Sequence, residues 1–200
     1  MSPRPNLLNL PNYLSLGRIA AVPIVVLLML FGGGGPVTSK IAAVIFLIAV
    51  LTDLLDGYLA RRFQMITDLG RFLDPLADKL INSAALIMLI PLDRVPAWVA
   101  FLIIGREIAI TGLRGIGAVE GMVISASDMG KRKTLTQNIA LFCLLWHYPL
   151  FGRNTQIVGT VMIYLALIIT YWSAYGYFRD FYELIVGKNQ EKGVDKPDAS

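Results

Sequence analysis

An all-α integral membrane bundle is the fold class that this chain predicts, and three observations carry that expectation. The 200 residues are 56% hydrophobic and only 16% charged, with a mean hydropathy of +0.62, too apolar for an ordinary soluble domain. The apolar residues come in runs close to the ~20 residues that cross a bilayer core as a helix. Glycine, proline and charge separate those runs, as the connections between spans require.

Six transmembrane helices are expected, at about Tyr13–Phe31, Ile41–Ala60, Phe72–Leu92, Pro96–Leu113, Leu135–Phe151 and Gln156–Tyr177. A short N-terminal interfacial helix over Leu7–Leu16 precedes them, with Leu7, Leu8, Leu10 and Leu14 toward lipid. Pro3, Pro5 and Pro11 stand before the first apolar run and no small-residue cleavage site follows it, so the first span is expected to be retained. The run Gly32-Gly33-Gly34-Gly35-Pro36 ends that span, Pro91, Asp93, Arg94 and Pro96 end the third, and Gly152-Arg153-Asn154 divides the last two. Residues 1–186 therefore read as one membrane domain, and the polar stretch 187–200 as a disordered tail.

The basic residues set the expected topology, because Lys and Arg concentrate on the cytoplasmic side. With both termini inside, Arg4, Arg61, Arg62, Arg71, Arg114, Lys131, Arg132, Lys133, Arg179, Lys188, Lys192 and Lys196 are cytoplasmic. Only Lys40, Arg94 and Arg153 fall outside. The net charge of +4 is largely this bias, and no nucleic-acid motif accompanies it. The single cysteine, Cys143, allows no internal disulfide.

Between the second and third runs lies a spaced constellation, D-x2-D-G-x2-A-R-x8-G-x3-D-x3-D, formed by Asp53, Asp56, Gly57, Ala60, Arg61, Gly70, Asp74 and Asp78. At about 100° per residue the first five fall within an arc of about 140° on one helix, and Gly70, Asp74 and Asp78 make a second stripe. Two facing helices bring the four carboxylates together, while Gly57, Ala60 and Gly70 leave the backbones bare for a ligand. Carboxylates so close repel one another unless a cation sits among them. Oxygen-only ligation by Asp53, Asp56, Asp74 and Asp78 favours Mg²⁺, Mn²⁺ or Ca²⁺ over zinc, and hard cations point to phosphate chemistry.

Topology leaves three cations unexplained, Arg18, Lys79 and Arg106, each within apolar surroundings where a charge is costly. Snorkelling to the surface is the bland reading for Arg18 and Lys79, and an ion pair with Glu107 for Arg106. Arg106 and Arg114 lie about two turns apart on one face, so with Lys131 and Lys133 of the following segment they suit a second phosphate.

The constellation resembles the signature of the CDP-alcohol phosphatidyltransferases, with every fixed position filled. Four further segments, N-L-P-N-Y-L-S-L-G-R at 9–18, D-P-L-A-D-K-L at 74–80, G-R-E-I-A-I-T-G-L-R at 105–114 and G-K-R-K-T-L-T-Q at 130–137, are similar to the branch of that family that uses glycerol 3-phosphate as acceptor. Gly105 and Gly115 depart from it. The resemblance implies a homodimer in the cytoplasmic membrane that passes a phosphatidyl group from CDP-diacylglycerol to sn-glycerol 3-phosphate, with two Mg²⁺ or Mn²⁺ ions on Asp53, Asp56, Asp74 and Asp78. It implies Asp78 as general base and Gly57, Ala60, Arg61 and Gly70, beside Asp53 and Asp56, as the donor pocket. Arg18, Lys79, Arg106, Arg114, Lys131 and Lys133 are then the pool for the acceptor phosphate.

Two alternatives remain open at the level of sequence. One is another acceptor within the family, such as serine, an inositol phosphate or phosphatidylglycerol. The other is an ion-coupled transporter, since intramembrane carboxylates also mark ion pathways, although no second half repeats the 53–78 pattern.

Overall fold

The computed structural model describes residues 10–62, 68–119, 128–150 and 152–194. Within them the chain is all-helical, apart from an isolated bridge between Leu150 and Arg153. The helices are α1 (Leu10–Gly32), α2 (Pro36–Arg62), α3 (Asp68–Leu89), α4 (Ala97–Val119), α5 (Asp128–Trp146) and α6 (Thr155–Val194). The connections anticipated at glycine and proline fall where expected. Gly33 and Gly34 adopt φ of 55° and 73°, left-handed values that a Cβ disfavours. Pro36 then opens α2, a position where its missing N–H costs nothing.

Three helical segments, Asn12–Gly32, Pro36–Asp53 and Thr155–Gly176, are long and apolar enough to cross a membrane. The other three carry charge along their length, such as Asp74, Asp78 and Lys79 on α3 and Arg106 and Glu107 on α4. Two expectations change. The segment from Leu10 to Leu16 is the opening of α1 and continues unbroken into the first span, so there is no separate interfacial helix among the described residues; Leu7 to Asn9 lie outside them. At the other end α6 runs past Gly187 to Val194, because Lys188, Gln190, Glu191 and Lys192 are good helix formers and each of the two glycines, Gly187 and Gly193, costs only about 1 kcal/mol. Residues 195–200 lie outside the described residues.

The core is assembled from small and branched side chains. Ala42, Ala43, Ala49, Ala85, Ala100 and Ala140 are buried beside Phe46, Met29, Ile81, Leu86, Ile103, Leu141 and Leu144. Small residues let helix axes approach closely. Gly159 shows the limit: a Cβ there would lie 2.7 Å from Leu144 Cγ, so α6 touches α5 through bare backbone. The outward face is apolar instead, with Phe31, Phe101, Trp172 and Tyr175 exposed, an arrangement suited to lipid and unfavourable in water.

One end of the bundle is latched by a single side chain. Arg94, in the turn after α3, is 5% exposed. It donates from Nη1 to the carbonyls of Leu144 (3.3 Å) and Leu145 (3.1 Å), and from Nη2 to Gly34 O (2.7 Å) and Ser39 Oγ (3.0 Å). Helix α5 leaves its last carbonyls without partners of its own, and Arg94 satisfies two of them. Tyr148 Oη also donates to Gly34 O (3.0 Å), and Gln156 Nε2 to Arg94 O (3.2 Å). Arg94 thus joins the α1–α2 turn, the α3–α4 turn and the end of α5.

Replacing Arg94 with alanine removes four charge-assisted donations and leaves buried carbonyls unpaired. The expected loss is about 3 kcal/mol or more. Thermal unfolding in detergent measures it, with Arg94→Lys recovering only part because an ammonium lacks the planar fork. A melting temperature unchanged by Arg94→Ala would show that the latch carries no stability.

Candidate functional site

The opposite end of the bundle carries the charged chemistry, because α1, α2 and α3 alternate in direction. The start of α1, the end of α2 and the start of α3 therefore lie together. Arg18 of α1 is 2% exposed and donates from Nη1 to Asp53 Oδ1 of α2. Its Nη2 lies 3.8 Å from Asp74 Oδ1 of α3 and 3.5 Å from Ser15 Oγ, and Ser15 in turn donates to Asp74. Ser15 and Arg18 are three residues apart, hence on one face of α1.

This geometry tests whether the carboxylates suit a metal. Carboxylates on two helices converge on one positive charge, the Arg18 guanidinium, and every donor is an oxygen, the ligand type that hard divalent cations take. Among the described residues no three acidic, histidine or cysteine groups come together closely enough to hold an ion. Asp56, the fourth member, has its side chain outside those described, as do Gly57, Ala60 and Arg61. Gly70 is buried at the start of α3.

One turn along α3 from Asp74, Asp78 accepts a hydrogen bond from Asn82 Nδ2 at 3.1 Å, the four-residue spacing placing both on one face. Asp78 feels the charges of Asp53, Lys79, Lys133 and Arg18, so it stands where the carboxylates meet the cations. Lys79 donates to Pro75 O at 3.3 Å. A hollow of about 20 Å³ opens between α3, α4 and α5, lined by Asp78, Lys79, Asn82, Glu107, Lys133 and Gln137 among others.

Glu107 is the anion on the far side of that hollow. It accepts from Lys133 Nζ of α5 and from Arg106 Nη1 (3.3 Å), while Arg106 Nη2 donates to Ser173 Oγ of α6 at 3.4 Å. The ion pair expected for Arg106 and Glu107 is therefore present, and it extends to a third helix. Lys133 bears on Arg106, Lys79 and Asp78, and Arg114 on Lys79 and Arg106. Lys79 and Lys133 thus lie beside Asp78 along one hollow, and Arg106 joins Lys133 through Glu107. Arg18 meets Asp53 and Asp74 instead. The Lys131 side chain lies outside the described residues.

Four contributors were not singled out from the sequence: Ser15, Asn82, Gln137 and Ser173. The i, i+3 and i, i+4 spacings to Arg18, Asp78 and Lys133 were legible signals for the first three. Ser173 offered none. Apolar grooves flank the polar end as well. One of about 310 Å³ runs between α1 and α2 past Ala21, Ile45 and Ile48, with Arg18 and Thr52 at its polar end. Another, of about 500 Å³, lies between α4 and α6 beside Arg106.

The family model described as CDP-alcohol phosphatidyltransferase matches residues 8–172, which contain every described site residue except Ser173. A Bacillus subtilis protein named CDP-diacylglycerol–glycerol-3-phosphate 3-phosphatidyltransferase is 41% identical over 191 residues, covering 90% of this chain and 99% of its own. A Haemophilus influenzae protein of the same name is 37% identical, over 86% of this chain and 92% of its own. A rice protein named cardiolipin synthase (CMP-forming) is 36% identical over 92% of this chain and 60% of its own.

Glu107→Ala leaves two nearly buried cations, Lys133 and Arg106, without their carboxylate, and is expected to destabilise the fold by about 3 kcal/mol. The double variant Glu107→Met with Lys133→Met should be more stable than Glu107→Ala, since it leaves one cation, Arg106, rather than two without a carboxylate. Chemical unfolding of the three proteins in one detergent settles it. Equal stability of Glu107→Ala and the parent protein would mean that the pair is not structural.

Proposed function

The chain belongs to the CDP-alcohol phosphatidyltransferase family, and on that footing we propose that it transfers the phosphatidyl group of CDP-diacylglycerol to sn-glycerol 3-phosphate, giving phosphatidylglycerophosphate and CMP. One observation supports the reading: α3 carries Asp74, which meets Asp53 at Arg18, and one turn on Asp78, which shares a hollow with Lys79 and Lys133. A donor diphosphate and an acceptor phosphate, both anionic, need such separate provisions. The names borne by the bacterial relatives support the choice of acceptor.

In this reading all six helices sit in the cytoplasmic membrane, with both termini and the site facing the cytoplasm, as the placement of Lys and Arg favours. The protein works as a homodimer. The donor's acyl chains lie along the α1–α2 groove, and Arg18 at its polar end holds Asp53 and Asp74 in place. Gly57, Ala60, Arg61 and Gly70 line the cytidylyl pocket. Two Mg²⁺ or Mn²⁺ ions on Asp53, Asp56, Asp74 and Asp78 would neutralise the diphosphate and stabilise the departing CMP.

Lys79, Arg106, Arg114 and Lys133 hold the acceptor phosphate, and Lys131 belongs to the same pool. The acceptor's primary hydroxyl attacks the phosphatidyl phosphorus, and its proton passes to a carboxylate oxygen of Asp78, which Asn82 orients. The bond from that phosphorus to the oxygen shared with the cytidylyl phosphate breaks. The electron pair leaves with CMP.

An acceptor panel on the purified protein tests the proposal by CMP release. Glycerol 3-phosphate should support turnover and serine, inositol phosphate and phosphatidylglycerol should not, the last being the sharpest control given the CMP-forming cardiolipin synthase among the relatives. Excess EDTA should abolish the activity, and Mg²⁺ or Mn²⁺ should restore it. Activity that persists in EDTA would rule out the metal, and preference for another alcohol would rule out this acceptor.

Asp78→Asn should bind CDP-diacylglycerol nearly as the parent does while single-turnover transfer falls about 10²–10⁴-fold, the usual scale for loss of a general base. Loss of donor binding in this variant would remove the case for Asp78 as base.

A further inference from the structure

Two buried amide oxygens beside Asp78 have no use in the chemistry described so far. Asn82 and Gln137 are 7% and 4% exposed, and both line the small hollow between α3, α4 and α5. Asn82 spends its amide nitrogen on Asp78, and its Oδ1 has no hydrogen-bond partner; Gln137 Oε1 has none either. A buried carbonyl without a donor costs about 1–3 kcal/mol, so two of them around one hollow point to something with hydrogens to donate. The register is shared as well: Asp78 and Asn82 on α3, and Lys133 and Gln137 on α5, are each four residues apart and turn the same way into the hollow.

The size of the hollow limits what can enter. About 20 Å³ is the space of one water-sized group, enough for a hydroxyl and too little for a sugar ring. We propose that Gln137, with Asn82 beside it, reads the free secondary hydroxyl of the acceptor, so that the site selects a phosphorylated vicinal diol over a phosphate carrying the attacking hydroxyl alone. This rests on the acceptor reading above. The secondary hydroxyl has one hydrogen and gives it to Gln137 Oε1; its own oxygen accepts from Lys133. With the acceptor bound, the Lys79 ammonium, which lines the same hollow and now donates to Pro75 O, would turn to Asn82 Oδ1. An acceptor lacking that hydroxyl leaves Gln137 buried and unpaired in the transition state. That is the situation in which a polar site discriminates most strongly.

The test compares sn-glycerol 3-phosphate with 3-hydroxypropyl phosphate, which keeps the phosphate and the primary hydroxyl at the same separation and lacks the secondary one. In the parent protein kcat/KM for the deoxy analogue should be lower by about fiftyfold or more. In Gln137→Leu the preference should shrink to about fivefold or less, chiefly through loss of rate with glycerol 3-phosphate; a merely structural glutamine would slow both acceptors alike. CDP-diacylglycerol binding reports whether the variant is folded, and Gln137→Met, closer in shape, replaces it if it is not. Comparable use of both acceptors by the parent protein, or an undiminished preference in the variant, overturns the proposal while the acceptor assignment stands. Turnover of neither phosphate overturns the acceptor assignment and this proposal with it.

Discussion

A charge held between helices away from water must be answered from another helix, and this bundle is organised by three such answers. Arg18 of α1 meets Asp53 of α2 and Asp74 of α3. Lys133 of α5 meets Glu107 of α4. Arg94 meets no carboxylate and takes backbone carbonyls of α5 and the α1–α2 turn instead. Each cation ties elements that are distant along the chain, which apolar contact in a lipid environment does poorly, since lipid tails are as apolar as leucine.

The two ends of the bundle use this constraint differently. At the Arg94 end the acceptors of that guanidinium are carbonyls and one hydroxyl, all internal. At the other end Asp53 and Asp74 keep side-chain exposures of 37% and 40% although the guanidinium between them is buried. Oxygen atoms of those carboxylates remain available on the side away from Arg18. A rigid far end and a near end with exposed carboxylates is the division expected when one end must hold its shape while the other exchanges ligands.

What the sequence disclosed follows the reach of helical periodicity. The stripe of Asp74 and Asp78, the glycine turn before Pro36 and the breaks at Pro96 and Gly152 are local patterns, and the structure has them where they were expected. Partners across helices were not legible. Arg94 read as one of a few outer-loop charges, because nothing local indicates that α5 ends beside it. Arg18 read as a phosphate ligand, since its depth was evident and its neighbours were not. The end of α6 was misjudged for a different reason: polar composition after Gly187 suggested disorder, but lysine, glutamine and glutamate sustain a helix already under way. The contributions of Asp56, Gly57, Ala60 and Arg61 rest on the motif and the family, since their side chains lie outside the described residues.

The position of Asp78 follows from the charges of the substrates. A lipid diphosphate and a soluble phosphate repel each other, so a site joining them must supply positive charge to both and still keep one basic oxygen at the point of contact. Gathering every cation around the acceptor would leave the donor unscreened, and gathering every carboxylate around metal would leave the acceptor repelled. Helix α3 resolves this by its register. Asp74 faces Arg18, Asp78 one turn later adjoins Lys79 and Lys133, and Asn82 a turn beyond holds the Asp78 carboxylate by one oxygen. A single helix thus carries the passage from carboxylate side to cation side within two turns, about 11 Å by helical rise. In the proposed reaction the attacking hydroxyl would belong at that seam, beside a carboxylate oxygen flanked by cations.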